Sequence, residues 1–208
     1  MFICFEGIDG SGKTTHLEYF VQKLKSLSIN LISTREPGGT PTGEQLRVLL
    51  LHHDLSVESQ IMLAFSARQI HIQKVIKPAL SNDTWVVSDR FVDSTYAYQG
   101  YGKKGDISFI DNLHKVVCDD LYPDYTILFD INPEIAYERR QNRENVVLDN
   151  FEKKSIDFHK DVRNGYLEIA EKNQKKGHKY FIIDSDNTMA NIQKQIDDII
   201  NILINSPK

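Results

Sequence analysis

Eight residues near the N-terminus, Gly7-Ile8-Asp9-Gly10-Ser11-Gly12-Lys13-Thr14, have the spacing G-x-x-x-x-G-K-[ST] and can hold a polyphosphate. The glycines let backbone N–H groups turn inward to form an anion-binding concavity. A helix beginning near Lys13 adds the positive end of its dipole. In that setting Lys13 bridges the β- and γ-phosphates of a nucleoside triphosphate. The Thr14 hydroxyl, followed by Thr15, sits where Mg²⁺ binds. The motif identifies a ligand class without a reaction, since it serves GTPases, ATPase motors and small-molecule kinases alike. No [NT]KxD element is present to read guanine, Lys103-Lys104-Gly105-Asp106 having the wrong first residue. A chain of 208 residues is also short for a motor. An ATP-dependent kinase of a small acceptor remains.

A second group of reactive residues follows the apolar run Thr84 to Ser88. Asp89 and Arg90 there fall at the carboxyl edge of a strand, where open α/β sheets bind ligands. Asp89 is placed to hold Mg²⁺ and Arg90 to act on phosphates, unless the two simply pair with each other. Asp130, also at a strand end, competes for the acidic role and ranks lower because no arginine follows it. Ser94 to Gly100 then supplies hydroxyls, aromatics and an amide, the groups that hold a base. Arg68 sits inside a helical stripe formed with Ile61, Phe65, Ile72, Val75 and Ala79. A guanidinium in that position is paired with an internal carboxylate or reaches an anionic ligand.

These residues need a scaffold that brings strand ends together. Short apolar runs at Phe2 to Glu6, Asn30 to Arg35, Thr84 to Ser88, Tyr125 to Asp130 and Lys179 to Ile183 alternate with segments of helical period. Several do not alternate polar with apolar, so they read as strands buried on both faces. That pattern predicts an α/β fold with about five parallel strands and helices on both sides. Leu17, Phe20, Val21, Leu24 and Leu27 form one helical stripe, and Ile192, Ile196, Ile199, Ile200 and Leu203 another. The arginine-rich segment 139–154 reads as a mobile loop within a single domain spanning 1–208.

Lys plus Arg is 25 against 29 Asp plus Glu, a net charge of −4, which disfavours a nucleic-acid partner. Cys4 and Cys118 are the two cysteines and form neither a zinc pattern nor a disulfide framework. The acidic N-terminus lacks a signal-peptide pattern and no run approaches a membrane span. A cytoplasmic protein without a membrane partner is expected.

The strings EGIDGSGKTT at the start, TREPGGTP at 34–41, DRF at 89–91 and STYAYQG at 94–100 together resemble the bacterial thymidylate kinase family, in its order and spacing. The resemblance implies a three-layer P-loop NTPase fold with an arginine-rich lid, ATP and Mg²⁺ as co-substrate and cofactor, dTMP as acceptor, dTDP as product, and a homodimer. It places Asp9, Arg47, Arg68 and Arg90 around the acceptor phosphate or base, and Thr95, Tyr98 and Gln99 at the base or sugar. In similar proteins an aromatic four residues before the helix arginine stacks on thymine. Here that position is Ala64, and its neighbour Phe65 either stacks or belongs to the core. The P-loop carries no arginine at its x positions, so Arg139, Arg140 or Arg143 is expected to supply the catalytic cation from the lid, unless they form a solvated helix end. Asp149 to Glu152 resembles the lid exit. Without a second substrate pocket the chain would instead be a nucleotide-dependent binding module, and with another pyrimidine preferred it would act on dUMP.

Overall fold

The computed structural model describes residues 1–141 and 149–205. Five strands, β1 (Phe2–Gly7), β2 (Leu31–Arg35), β3 (Trp85–Asp89), β4 (Tyr125–Asp130) and β5 (Lys179–Asp184), form one parallel sheet in the order β2-β3-β1-β4-β5. Every strand lies within a residue or two of an apolar run anticipated from sequence. β1 is central because it can be buried on both faces. Ile3 and Phe5 enter one core, and Phe2 and Cys4 the other.

Nine α-helices surround the sheet among the described residues: α1 (Lys13–Ser26), α2 (Pro41–His52), α3 (Val57–His71), α4 (Lys77–Ser81), α5 (Val92–Thr95), α6 (Ile107–Cys118), α7 (Pro133–Gln141), α8 (Ile156–Lys175) and α9 (Met189–Asn205). The first face packs on α1 and α9. All five stripe residues of α9 are buried there, each contributing roughly 1.5–3 kcal/mol. On α1 the stripe stops at Leu24. Leu27 is half exposed because the helix has ended and the chain is turning toward β2. The second face packs on α3, α6 and α8. No described helix is long and apolar enough to cross a membrane.

The stripe containing Arg68 does not run evenly to its end. A π-helical turn at Ile72–Ile76 separates α3 from α4. The wider turn moves burial from Val75, which is half-buried, to Ile76, which is fully buried. Pro78 follows, and its missing N–H already interrupts the regular ladder. A second π-helical turn, Tyr96–Gly102, extends α5 and carries the base or sugar candidates Tyr98 and Gln99, with Thr95 at the end of α5 itself.

In strand order the chain leaves β1 toward β2 and β3 on one side and reaches β4 and β5 on the other. The loops after β1, β3 and β4 therefore meet at the carboxyl edge, at a topological switch point.

Candidate active site

The loop after β1 has the backbone its glycines allow. Gly10 and Gly12 have φ of 91° and 80°, the left-handed region that side chains disfavour. At Gly10 a Cβ would lie 2.4 Å from the Ala136 carbonyl oxygen, so only glycine lets α7 pack against this loop. No side chain caps the N-terminus of α1, and no acid lies in its first turn. Its first amides are left for a ligand. Thr14 and Thr15 are exposed there.

Lys13 is buried and paired with Asp89, at the end of the neighbouring strand β3. Burial alone would raise the Asp89 carboxyl. The Lys13 and Arg90 charges, with the Lys13 hydrogen bond, outweigh it and hold the group below its usual range. Asp89 and Arg90 thus do not pair with each other. Asp130 is engaged elsewhere, accepting both bonds of a fork from Arg163 of α8 at 2.6 and 2.8 Å.

Arg90 turns back over the phosphate loop with φ of 73°. For a non-glycine residue that costs about 1–2 kcal/mol. The backbone holds it there: its N–H donates to the Phe5 carbonyl at 2.9 Å, and its carbonyl accepts from the Ser88 hydroxyl at 2.8 Å. Nη2 donates to Asp9 Oδ1 at 2.6 Å and to the Tyr98 hydroxyl at 3.2 Å. Nη1 donates to Ser94 at 3.1 Å and Tyr166 at 2.8 Å. The Tyr98 hydroxyl donates in turn to Asp9 Oδ2 at 2.6 Å. Burial would raise Asp9, but Arg90, Tyr98 and Lys13 together hold its carboxyl far below the ordinary range.

Beneath Arg90 lies Glu6, the last side chain of β1. It accepts from the Phe91 amide at 2.7 Å, Ser94 at 2.6 Å and Tyr166 at 3.0 Å. Burial pushes its carboxyl up, against the opposing pull of Arg90 and these donors. Ser94 and Tyr166 thus stand between the two charges, accepting from Arg90 and meeting Glu6, and lie 2.7 Å from each other. Sequence reasoning missed Glu6 and Tyr166. An acid ending a wholly apolar strand signalled Glu6, as an arginine in an apolar stripe signalled Arg68. Nothing local signals Tyr166, which α8 brings from 76 positions beyond Arg90.

A cavity enclosing about 590 Å³ of non-protein space opens beside Asp9. It gathers Asp9, Arg47, Arg68, Arg90, Thr95, Tyr98 and Gln99, all candidates on the acceptor side except Phe65. Phe65 is in the core, and Ala64 faces the cavity instead. The stacking alternative for Phe65 is therefore not met. Its ring lies under the Arg68 guanidinium, 4.9 Å from centroid to Cζ, with Phe91 at 5.2 Å. Arg68 has an internal carboxylate after all: Nε donates to Glu36 Oε2 at 2.7 Å, both side chains being buried. Nη2 donates to the Phe91 carbonyl at 3.1 Å and to Thr95 at 3.0 Å, while Nη1 is buried with no partner among the described residues. Glu36 belongs to the Arg35 to Gly39 loop, whose Pro-Gly-Gly string reads simply as a turn and gives no sign of this role. Arg47 donates to the Pro37 carbonyl at 2.9 Å. The nearby carboxylate Glu44 is taken by Arg35 at 2.8 Å. Burial and the charges of Arg35 and Arg90 push the Arg47 guanidinium down, so an anion at this end is favoured.

The segment anticipated as a mobile loop from residue 139 is helical through Gln141, because α7 carries on from Pro133. Arg140 is buried on it. Its Nη1 donates to the Asp9 carbonyl at 2.6 Å, and Nη2 is buried with no partner among the described residues. Arg139 donates instead to the Ser185 carbonyl at 3.1 Å. Arg143 lies outside the described residues. Asp149 and Phe151 reach the cavity wall, Phe151 edge-on to Tyr98 at 5.6 Å.

A phosphate loop and an adjoining open cavity, sharing Asp9 at the switch point of a parallel sheet, define a P-loop nucleotide phosphotransferase. The family model for thymidylate kinase matches residues 5–196. A thymidylate kinase of Paraburkholderia phytofirmans is 43% identical over 206 residues, covering 97% of this chain and 98% of its own. That of Methylobacillus flagellatus is 43% identical over 199 residues, covering 96% of each. The crystal structure of the Ehrlichia chaffeensis thymidylate kinase superposes with a TM-score of 0.77 at 34% identity, covering 97% of this chain and 98% of that one. The chain belongs to the thymidylate kinase family.

Proposed function

We propose that the chain transfers the γ-phosphoryl group of ATP to dTMP, giving dTDP and ADP, with the residues above in the following roles. The carrying observation is that the two ends of the acceptor cavity differ in charge. At one end Glu36 neutralises Arg68 and leaves two N–H groups of Nη1 unpartnered, which suits a neutral carbonyl oxygen of a base. At the other, Arg47 has no carboxylate partner among the described residues and stands with Arg90 and Asp9, which suits a phosphate. This polarity orients a nucleoside monophosphate with its phosphate toward the phosphate loop.

Phosphoryl transfer needs in-line positioning and neutralised charge more than a strong base. Lys13 and the amides of α1 take the donor phosphates, and Asp9 with Arg90 and Arg47 sets the acceptor phosphate opposite. Tyr98 lies along the sugar and leaves little space for a 2′-hydroxyl. Arg140, already on the phosphate loop, brings an unpartnered guanidinium nitrogen to the transferring group.

The donor set fits Mg²⁺. Thr14 and Asp89 supply one hydroxyl and one carboxylate, the sparse oxygen ligation typical of an ion held largely by nucleotide phosphates and water. When bound, the ion neutralises phosphate charge. A cytoplasmic homodimer belongs to the same reading on the family resemblance, and size-exclusion chromatography tests the dimer.

The test is ADP release from MgATP with dTMP, dUMP, dCMP, dGMP and UMP in turn. Strong preference for dTMP is expected. Preference for another monophosphate would reassign the acceptor, and no turnover with any would favour the binding-module reading.

A further inference from the structure

We propose that His71, which does not touch the cavity, is a positioning residue for base selectivity: it holds Glu36, and through Glu36 it aims the free face of Arg68 at the acceptor base. The inference rests on the acceptor reading above. His71 ends α3 one turn after Arg68 and is fully buried. Its Nδ1 lies 2.9 Å from Glu36 Oε1, and its Nε2 lies 2.7 Å from the Thr34 hydroxyl of β2.

The direction of the bond to Glu36 follows from the groups. The Glu36 carboxylate, already accepting from Arg68, can only accept, so His71 donates from Nδ1. The Thr34 hydroxyl, which can donate or accept, holds the Nε2 end of the ring. One chain of bonds thus runs from Thr34 through His71 and Glu36 to Arg68. Gly39 seals it from the loop side: a Cβ there would lie 2.7 Å from His71 Nε2, His71 Cδ2 and Thr34 Oγ1. Gly39 of the Pro-Gly-Gly loop therefore serves this packing as well as the turn.

The consequence falls on the one Arg68 nitrogen without a partner. Phe65 and Phe91 fix the guanidinium plane, and Glu36, Thr95 and the Phe91 carbonyl take Nε and Nη2. Nη1 then presents two donors in a fixed direction. A base carbonyl satisfies them. An exocyclic amino group in the same place sets N–H against N–H, leaving buried donors unpaired. Without the His71 donor, Oε1 of Glu36 is a buried acceptor with no partner. The carboxylate is free to turn, and Arg68 loses its aim.

The test uses the full chain without ATP and measures calorimetric dissociation constants for dUMP and dCMP, which differ in this carbonyl and its ring neighbour and both lack the 5-methyl group. The unaltered chain is expected to prefer dUMP. His71→Leu is expected to narrow the dCMP-to-dUMP ratio about tenfold, chiefly by weakening dUMP. His71→Asn, whose amide nitrogen can occupy the Nδ1 position, is expected to keep the ratio within about threefold of the unaltered chain. Should His71→Leu fail to fold, Thr34→Val removes only the hydroxyl and is expected to narrow the ratio by about threefold. An unchanged ratio in a folded variant, or equal weakening of both nucleotides, overturns the inference while the acceptor reading stands. Failure of the unaltered chain to bind either nucleotide overturns the acceptor reading itself and the inference with it.

Discussion

Arg140→Met separates catalysis from stability in a way the geometry makes quantitative. The substitution keeps an unbranched apolar stem in a buried site and removes the guanidinium. Lost with it is the charge-assisted bond from Nη1 to the Asp9 carbonyl, worth about 1.5–3 kcal/mol. Relieved is the burial of Nη2 without a partner, a cost of about 1–3 kcal/mol or more for a charged group. The two nearly cancel, so without nucleotide Tm should move by less than about 4 °C, using roughly 2–4 °C per kcal/mol at this chain length. With substrates bound the balance differs under the proposed role of Arg140, in which the transferring phosphoryl group satisfies Nη2. Losing that donor should lower kcat by about 10²–10³ with KM for either nucleotide little changed. Coupled ADP-release kinetics and thermal unfolding on the same preparation supply both numbers. Arg139→Met is the control. Its bond goes to the Ser185 carbonyl and not to the phosphate-loop backbone, and its kcat should stay within about threefold. A kcat for Arg140→Met within threefold of the parent would refute the reasoning. So would a Tm loss well beyond 8 °C, about twice the stated bound, because the guanidinium would then be structural.

Two further outcomes are expected. Burial, then repulsion from Glu6, pushes the Asp93 carboxyl up to about 7, against the Tyr180 hydrogen bond and Arg68. A raised carboxyl favours the folded state at low pH and loses that advantage as pH rises from near 4 through about 7, by at most ~1.4 kcal/mol per pH unit. Asp93→Asn should therefore gain stability over the parent at pH 8 and lose that gain toward pH 4, in paired thermal melts. A pH-independent difference would remove Asp93 as its source. Gly10→Ala must displace either the phosphate loop or α7, since its Cβ would meet backbone at 2.4 Å, whereas at Gly12 only the His16 ring lies near, at 3.6 Å. Gly12→Ala should cost about 1 kcal/mol from its left-handed backbone, and Gly10→Ala clearly more. Equal Tm losses without nucleotide would show that the α7 contact is not tight.

Much of the site was legible because the phosphate loop is local. Spacing within eight residues, a strand before and a helix after supply an anion site wherever the rest of the chain goes. Strand ends were legible for a related reason, since in a parallel sheet the carboxyl ends share one edge and Asp89 and Arg90 could be assigned to it. Arg68 was legible only as a contradiction, a cation in an apolar stripe. Its resolution needed Glu36, 32 positions away on a loop that reads as a turn. Phe65 shows the same limit at one-residue scale. Ala64 and Phe65 both lie toward the interior, and which of them meets the cavity depends on how α3 is rotated against α5 and β3.

The sequence by itself determined the class of chemistry, the parallel sheet and most side chains that reach the cavity. Each depends on residue type, spacing or period, and those survive without knowledge of distant contacts. Tertiary structure decided the partners: Glu36 for Arg68, Lys13 for Asp89, Arg163 for Asp130, Asp9 with Tyr98 and Tyr166 for Arg90, and the phosphate loop for Arg140 rather than Arg139. Pairings of buried charge are settled by a few ångströms of packing between elements far apart in the chain. A residue-by-residue pattern does not encode those separations, because Coulomb and hydrogen-bond energies depend on distance and burial.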